Sequence, residues 1–379
     1  MAKSKFEQHI AVFGESGSGK TVMLSSFYGA AQEPAFIKAD RSHLVAEMPS
    51  QGTKLHSNYL GMKKSATVPP ADKFRWDSYA FDLKLQKDPR DGGGTIDALR
   101  LVWHDYPGEW FEGRREGARE RSRQVESFKA LLGSDVALLL IDGQRIIDNQ
   151  NEEERYLKSV FANFRNTLLA VKDDILEGGK LLVQFPRIWM IALSKADLLP
   201  EMDIYAFRDL LIEKAADEIG LLRDVLASFV VAPEALSVGE DFLLLSSGRF
   251  DPGAIDLKRQ QGLDLILPIS ALMPFERHVK WTDTLKLPGK VAENLLDHAK
   301  LYTTVLMVFA QRLPGPFSKI AALIGPAVLA EAADLAGGRL RSFNKEATAK
   351  GNVLAARIMR FKIDLEDAEE SASLIRAVV

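Results

Sequence analysis

"AVFGESGSGKTVML", residues 11–24, is the stretch on which the reading of this chain turns. A short apolar run with strand character leads into three glycines and a lysine, and a helix-forming segment follows. Gly14, Gly19, Lys20 and Thr21 satisfy the pattern G-x-x-x-x-G-K-[ST]. Glycines let the backbone N–H groups of Glu15, Ser16, Gly17 and Ser18 close around a phosphate, and the next helix presents its positive end there. Lys20 then reaches toward the β and γ oxygens, and the Thr21 hydroxyl suits Mg²⁺. The loop alone does not choose between ATP and GTP. No "LSGGQ"-like stretch, the mark of transporter ATPases, accompanies it.

Apolar runs alternate with amphipathic stretches on both sides of the loop. "HIAVFG" (9–14) precedes it and "TVMLSSFYGAAQ" continues it as helix. From about Ile37 to Asp72 the sequence is polar and is expected to be irregular. "RWDSYAFDLKLQ" then alternates apolar Tyr79, Phe81, Leu83 and Leu85 with polar residues, as a half-exposed strand does. "DPRDGGGT" (88–95) predicts a hairpin turn, and "ALRLVWHDYPG" the returning strand. "DVALLLIDG" (135–143) and "RIWMIALSKAD" (187–197) are nearly continuous apolar runs, which predicts strands buried on both faces. Strands spaced by helices argue for an α/β fold with a mostly parallel sheet and that hairpin as its antiparallel edge. From about Met273 onward strands are expected to disappear, leaving a helical C-terminal extension. The division is therefore 1–275 for an α/β domain and 276–379 for the extension.

Composition narrows the classes. The chain has 379 residues, 46% hydrophobic and 27% charged, and a formal net charge of −3. That balance supplies no global attraction for nucleic acid or anionic lipid. The absence of cysteine excludes disulfides, thiolate catalysis and Cys-ligated zinc. "MAKSKFEQHIAVFG" lacks the charged-then-apolar order of a signal peptide, so a cytoplasmic location is expected. "FSKIAALIGPAVLAEAADLAGG" is apolar enough to lie in a membrane interface, but lacks the lysine-rich polar face such helices carry. Packing on the domain is favoured over peripheral membrane contact.

Two later motifs choose the base. Asp105-Tyr106-Pro107-Gly108 forms D-x-x-G at a strand's end, where Asp105 would hold Mg²⁺ through water and the Gly108 N–H would meet a γ-phosphate. "ALSKAD" ends a buried strand with Ser194-Lys195-Ala196-Asp197, close to [NT]-K-x-D. A carboxylate there accepts the N1–H and exocyclic amine of guanine while the lysine stem covers the ring; adenine offers no such donor pair. The order of the motifs, each at the carboxyl end of a strand, is the informative feature.

Together they resemble the translation-factor and Ras-like (TRAFAC) class of P-loop GTPases over roughly residues 8 to 275. Within that class the chain is similar to bacterial GTPase-domain proteins described only as ATP/GTP-binding. The resemblance implies GTP and GDP as substrate and product, Mg²⁺ as cofactor, and Lys20 as a catalytic contact. Ser194 stands where the family has Asn or Thr; a hydroxyl can still bond the phosphate loop, which implies a guanine specificity weakened but not lost. Glu109 occupies the place of the water-orienting glutamine, which implies slow intrinsic hydrolysis needing help. Two candidates exist for the fifth motif: Ser246-Ser247-Gly248-Arg249, with Ser247 and Gly248 facing the nucleotide, and Ser270-Ala271, otherwise an extra strand. Thr67, or alternatively Thr53, would complete the Mg²⁺ shell. "GRREGARERSRQ" (113–124) is either a solvated helix face or a source of charge, through Arg114 or Arg115, for the transition state in cis or across a homodimer. The expected behaviour is that of a slow GTPase switch, with an effector protein or a second copy as partner. A near-inactive nucleotide-dependent assembly protein and a membrane-surface GTPase are the alternatives.

Overall fold

The computed structural model describes residues 7–40, 42–70, 77–87, 93–106, 108, 118–284, 289, 291 and 353–377. Its strands are β1 (Glu7–Phe13), β2 (Ser42–Ala46), β3 (Asp77–Gln86), β4 (Thr95–Asp105), β5 (Val136–Asp142), β6 (Ile188–Ser194), β7 (Ser237–Leu245), the small hairpin β8 (Arg249–Asp251) and β9 (Ala254–Asp256), and β10 (Leu374–Ile375). The helices are α1 (Lys20–Ala31), α2 (Pro34–Asp40), α3 (Pro49–Ser65), α4 (Ala118–Leu132), α5 (Gly143–Asp148), α6 (Glu153–Ile175), α7 (Ile204–Ala227), α8 (Ile266–Thr284) and, at the carboxyl end, α9 (Val353–Glu370).

Every residue of β5 and β6 is buried, as continuous apolar strands at the centre of a covered sheet must be. The sheet runs β10-β7-β6-β5-β1-β4-β3-β2. Its inner five strands, β4 to β7 through β1, are parallel, while β3 pairs antiparallel with β4 and β2 with β3. Alternation along the strands separates two cores. Ala11, Phe13, Leu139 and Ile141 pack with α4, α6 and α7, whereas Ile10, Val12, Leu138 and Leu140 pack with α1, α8 and α9. Helix α6 reaches its core through Leu157, Val160, Phe161, Phe164, Leu168 and Val171, the three-four spacing of one helical face. Phe13, the last residue before the glycine loop, lies 4.9 Å from Phe164 and 5.5 Å from Trp189 between ring centroids, giving the loop an aromatic floor.

Three expectations are corrected. The stretch from Ile37 to Asp72 is not irregular: it holds β2 and the 17-residue α3. Only Leu55, Tyr59 and Met62 are fully buried apolar side chains on α3, one residue per turn, too sparse a stripe to stand out in the sequence. The β3–β4 hairpin consequently does not form the edge, because β2 pairs outside it. Strands also do not end near Met273, since β10 pairs antiparallel with β7 through Leu374 and Ile375. A two-residue strand depends on a neighbour already in place, so no local pattern announces it. Helix α8 runs across position 275, and α9 packs Ile358, Phe361 and Leu365 into the core it shares with the sheet. Residues 317–338, the candidate interfacial segment, lie outside the described residues. Among the described residues no helix is long and apolar enough to cross a membrane.

Candidate nucleotide site

The loop between β1 and α1 has the geometry its glycines predict. Gly17 and Gly19 have φ of 84° and 89°, a left-handed backbone that costs glycine nothing and other residues strain. Gly19 caps α1, so the first N–H groups of that helix open into the loop. Gly14 is required for space, since a Cβ there would lie 2.7 Å from Ser18 Oγ and 3.0 Å from Leu140 Cβ. The buried Lys20 Nζ donates to the Gly14 carbonyl at 2.8 Å and the Glu15 carbonyl at 3.0 Å, so its charge is held within the ring of the loop. Thr21 follows in the first turn of α1. Arg145 of α5, a residue no motif singles out, ion-pairs with Glu15 at 3.1 Å and reaches the Ser16 carbonyl at 3.4 Å. It braces the loop from the end of β5.

The D-x-x-G segment folds back on that loop. Asp105 ends β4 beside Val12 of β1, and the Tyr106 N–H donates to the Val12 carbonyl at 3.3 Å. Gly108 lies against the loop backbone so closely that a Cβ would stand 2.2 Å from Ser16 N. Only glycine fits there. Glu109, Arg114 and Arg115 lie outside the described residues. His104 is a buried strand residue, as its sequence position suggests: burial and then the neighbouring His9 ring hold it down to about 4, and it hydrogen-bonds His9 at 3.0 Å. Thr67 follows α3, exposed, with its hydroxyl donating to the Ser65 carbonyl at 3.2 Å. Thr53 sits on α3 itself and donates to the Pro49 carbonyl at 2.9 Å.

At the other end, β6 delivers Ser194-Lys195-Ala196-Asp197. The Ser194 hydroxyl, which could have turned to the phosphate loop, donates to the Ile141 carbonyl of β5 at 3.1 Å. Lys195 adopts φ 56° and its Nζ pairs with Asp142 Oδ2 at 2.8 Å, which lays its stem toward Gly19. Asp142 also accepts the Gln144 N–H at 2.9 Å and so caps α5. Asp197 is oriented from two sides: Oδ1 accepts from Ser246 Oγ at 2.8 Å and Oδ2 from the Phe250 N–H at 3.3 Å. The Ser246 proton is shared with the Gly248 carbonyl at 2.6 Å. Of the two fifth-motif candidates, the 246–249 segment is the one at the cleft: Ser246 bonds Asp197, Ser247 lines the cleft, and Gly248 shapes the turn at φ 152°. Ser270 and Ala271 belong instead to α8, where Ser270 Oγ donates to the Ile266 carbonyl at 2.7 Å. A helix turn, not the expected strand, forms there because Ile266, Ile269 and Met273 repeat at helical spacing toward the core.

One cleft of about 360 Å³ joins these parts, running from Gly17 to Gly19 at one end to Lys195, Asp197 and Ser247 at the other. A phosphate loop, a D-x-x-G segment closed on it and a buttressed carboxylate across the cleft, on this strand order, define a P-loop GTPase of the translation-factor and Ras-like class. The chain belongs to the Double-GTPase 2 family, whose profile matches residues 8–220, more than half of its length. Among curated proteins no sequence matches it. Solved structures similar to it include the G domain of the T. maritima FeoB iron transporter, at 12% identity and TM-score 0.23, covering 64% of this chain and 91% of that one. Nucleolar GTP-binding protein 1 of Plasmodium falciparum is 14% identical with TM-score 0.30, covering 80% and 98%. Aquifex aeolicus Era bound to GDP and AlF4⁻ is 11% identical with TM-score 0.26, covering 72% and 66%.

Proposed function

We propose that this protein is a cytoplasmic, Mg²⁺-dependent GTPase that hydrolyses GTP slowly to GDP and phosphate and acts as a nucleotide-dependent switch toward an effector protein or a second copy of itself. The observation that carries this is Asp197, held by Ser246 and the Phe250 N–H in one cleft with the glycine loop. Each Asp197 oxygen keeps an acceptor direction for a guanine donor while bonded to the protein. In this reading the loop N–H groups from Glu15 to Gly19 hold the β-phosphate. Lys20 exchanges the Gly14 and Glu15 carbonyls for phosphate oxygens, which a four-carbon stem allows. The Gly108 N–H meets the γ-phosphate at the position where that glycine lies against Ser16.

The residues also suit a magnesium ion. Among the described residues no cluster of three His, Cys, Asp or Glu side chains gathers that could hold a metal, but Thr21 and Asp105 supply one hydroxyl and one carboxylate at neighbouring strand and helix ends. That sparse oxygen set fits Mg²⁺, which keeps waters and takes further ligands from phosphates. Thr67 is the proposed first-switch ligand. Bound Mg²⁺ would neutralise charge developing on the phosphates.

Slow turnover is proposed because Glu109 stands where a neutral side chain positions water in the class. Arg114 and Arg115 are proposed to offset that charge. Two measurements test the assignment: the nucleotide released on denaturing the purified protein, and GTP turnover by wild type and Lys20→Ala. Guanine nucleotide in the first, with binding abolished in the variant, is expected. Wild-type affinity for GTP in Lys20→Ala would overturn it.

A further inference from the structure

The β8–β9 hairpin starts at Arg249, the last residue of the 246–249 segment, and its first strand carries a phenylalanine into the cleft. Phe250 lines the cleft together with Val68, from the loop after α3, and Lys195. Its backbone N–H is one of the two donors that orient Asp197. The rest of the hairpin is not a loose loop. Phe250 and Ile255 pack against a small separate core of Tyr59 and Met62 of α3 and Leu257, alongside Val22 of α1. Gly248 enters the hairpin at φ 152° with its Cα so close to strand β9 that a Cβ would stand 2.8 Å from the Asp256 carbonyl. Position and backbone conformation therefore fix where Phe250 can stand.

We infer that Phe250 is an affinity-determining contact for the purine ring: the hairpin forms one wall of a base clamp whose other elements are the Lys195 stem and Val68. An aromatic ring has a face for any purine, whereas Asp197 discriminates between them. The two residues thus divide the work, Phe250 supplying affinity without selectivity and Asp197 supplying selectivity. Because the same hairpin packs on α3, and α3 leads directly into the loop bearing Thr67 and Val68, a seated base holds both walls together. This inference rests on the guanine-nucleotide reading of the cleft and adds the residue that contacts the ring.

The test compares equilibrium binding of GDP, GTP and ATP to wild type, Phe250→Ala and Phe250→Trp, by calorimetry on the full chain. Failure of the wild type to bind any guanine nucleotide would remove the underlying reading, and is seen before any variant is made. With wild-type binding established, Phe250→Ala should weaken GDP, GTP and ATP by one common factor of about tenfold to a hundredfold, leaving the GTP-to-ATP preference unchanged. Phe250→Trp should restore affinity and add its own change in emission on GDP addition to whatever the five tryptophans already in the chain give. It also covers the case in which the alanine variant unfolds. Unchanged GDP affinity in a folded Phe250→Ala would overturn the inference. So would a loss confined to guanine nucleotides, which would place the effect on Asp197, or a Phe250→Trp signal blind to GDP.

Discussion

Asp197 accepts two hydrogen bonds before any base arrives, and this arrangement makes single residues testable. Asp197→Asn should weaken GTP by about 2–4 kcal/mol, because an amide presents a donor where guanine also donates. The same variant should gain relative preference for xanthosine nucleotides, whose ring carries a carbonyl in place of the amine; competition of XTP and ATP against labelled GTP measures both. Ser246 and Ser247 are neighbours with different work. Ser246→Ala removes a hydroxyl bonded to a carboxylate and should cost roughly tenfold or more in GDP affinity. Ser247→Ala should cost little by comparison. Equal losses in the two variants, read by fluorescence titration, would contradict Ser246 as the anchor.

Among the elements, α3 is the addition that shapes the site, and its seat depends on one glycine. A Cβ on Gly29 of α1 would stand 2.1 Å from Tyr59 Cγ and 2.3 Å from Tyr59 Cβ, near the stem of the side chain. Such a contact is not relieved by rotating the ring. Gly29→Ala gains helix propensity, worth about 1 kcal/mol, yet must push α3 off α1 or bend one of them. Overpacking of this kind costs typically about 1–3 kcal/mol, so net destabilisation is expected in urea unfolding. Truncating Tyr59 as well removes the obstacle, and the double variant Gly29→Ala/Tyr59→Ala should lose less than the sum of the single losses. Strict additivity would mean the helices already have room.

At the scale of the whole molecule, β7, α8 and the residues that follow β10 meet through a buried carboxylate. Asp241 of β7 accepts from Ser237 Oγ at 2.6 Å and from the Ala377 N–H at 2.9 Å, and it pairs with Arg277 of α8. Arg376 adds a bond to Glu276 at 2.9 Å. The network fastens β10 and α8 to the same edge of the sheet. Asp241→Ala leaves Arg277 buried without its carboxylate and should cost about 3–5 kcal/mol in denaturant unfolding. The loss should be greatest at the carboxyl end, so backbone amides of residues 374–377 should exchange faster in the native state. Asp241→Asn, which can still accept from Ala377, should fall between the two.

Local chemistry made the nucleotide half of this protein legible. A phosphate loop is built from consecutive residues, and its glycines, Lys20 and Thr21 act through backbone that the same short segment supplies. Lys195 and Asp197 were legible for the same reason, as a turn at the end of an all-apolar strand. The long strands β5 and β6 announced themselves because burial on both faces demands continuous apolar runs. What only the tertiary structure decided involves partners far apart in the chain. Arg145 matters because β5 ends beside the loop, and Ser246 rather than Ser247 holds Asp197 because β7 ends beside β6. Phe250 is an ordinary apolar residue until the hairpin turns it into the cleft. Strand β10 and the sparse stripe of α3 form because neighbours already in place offer a paired edge and a glycine-lined groove. Such elements have too little pattern of their own to be read one-dimensionally, because their stability comes from contacts rather than from local preference.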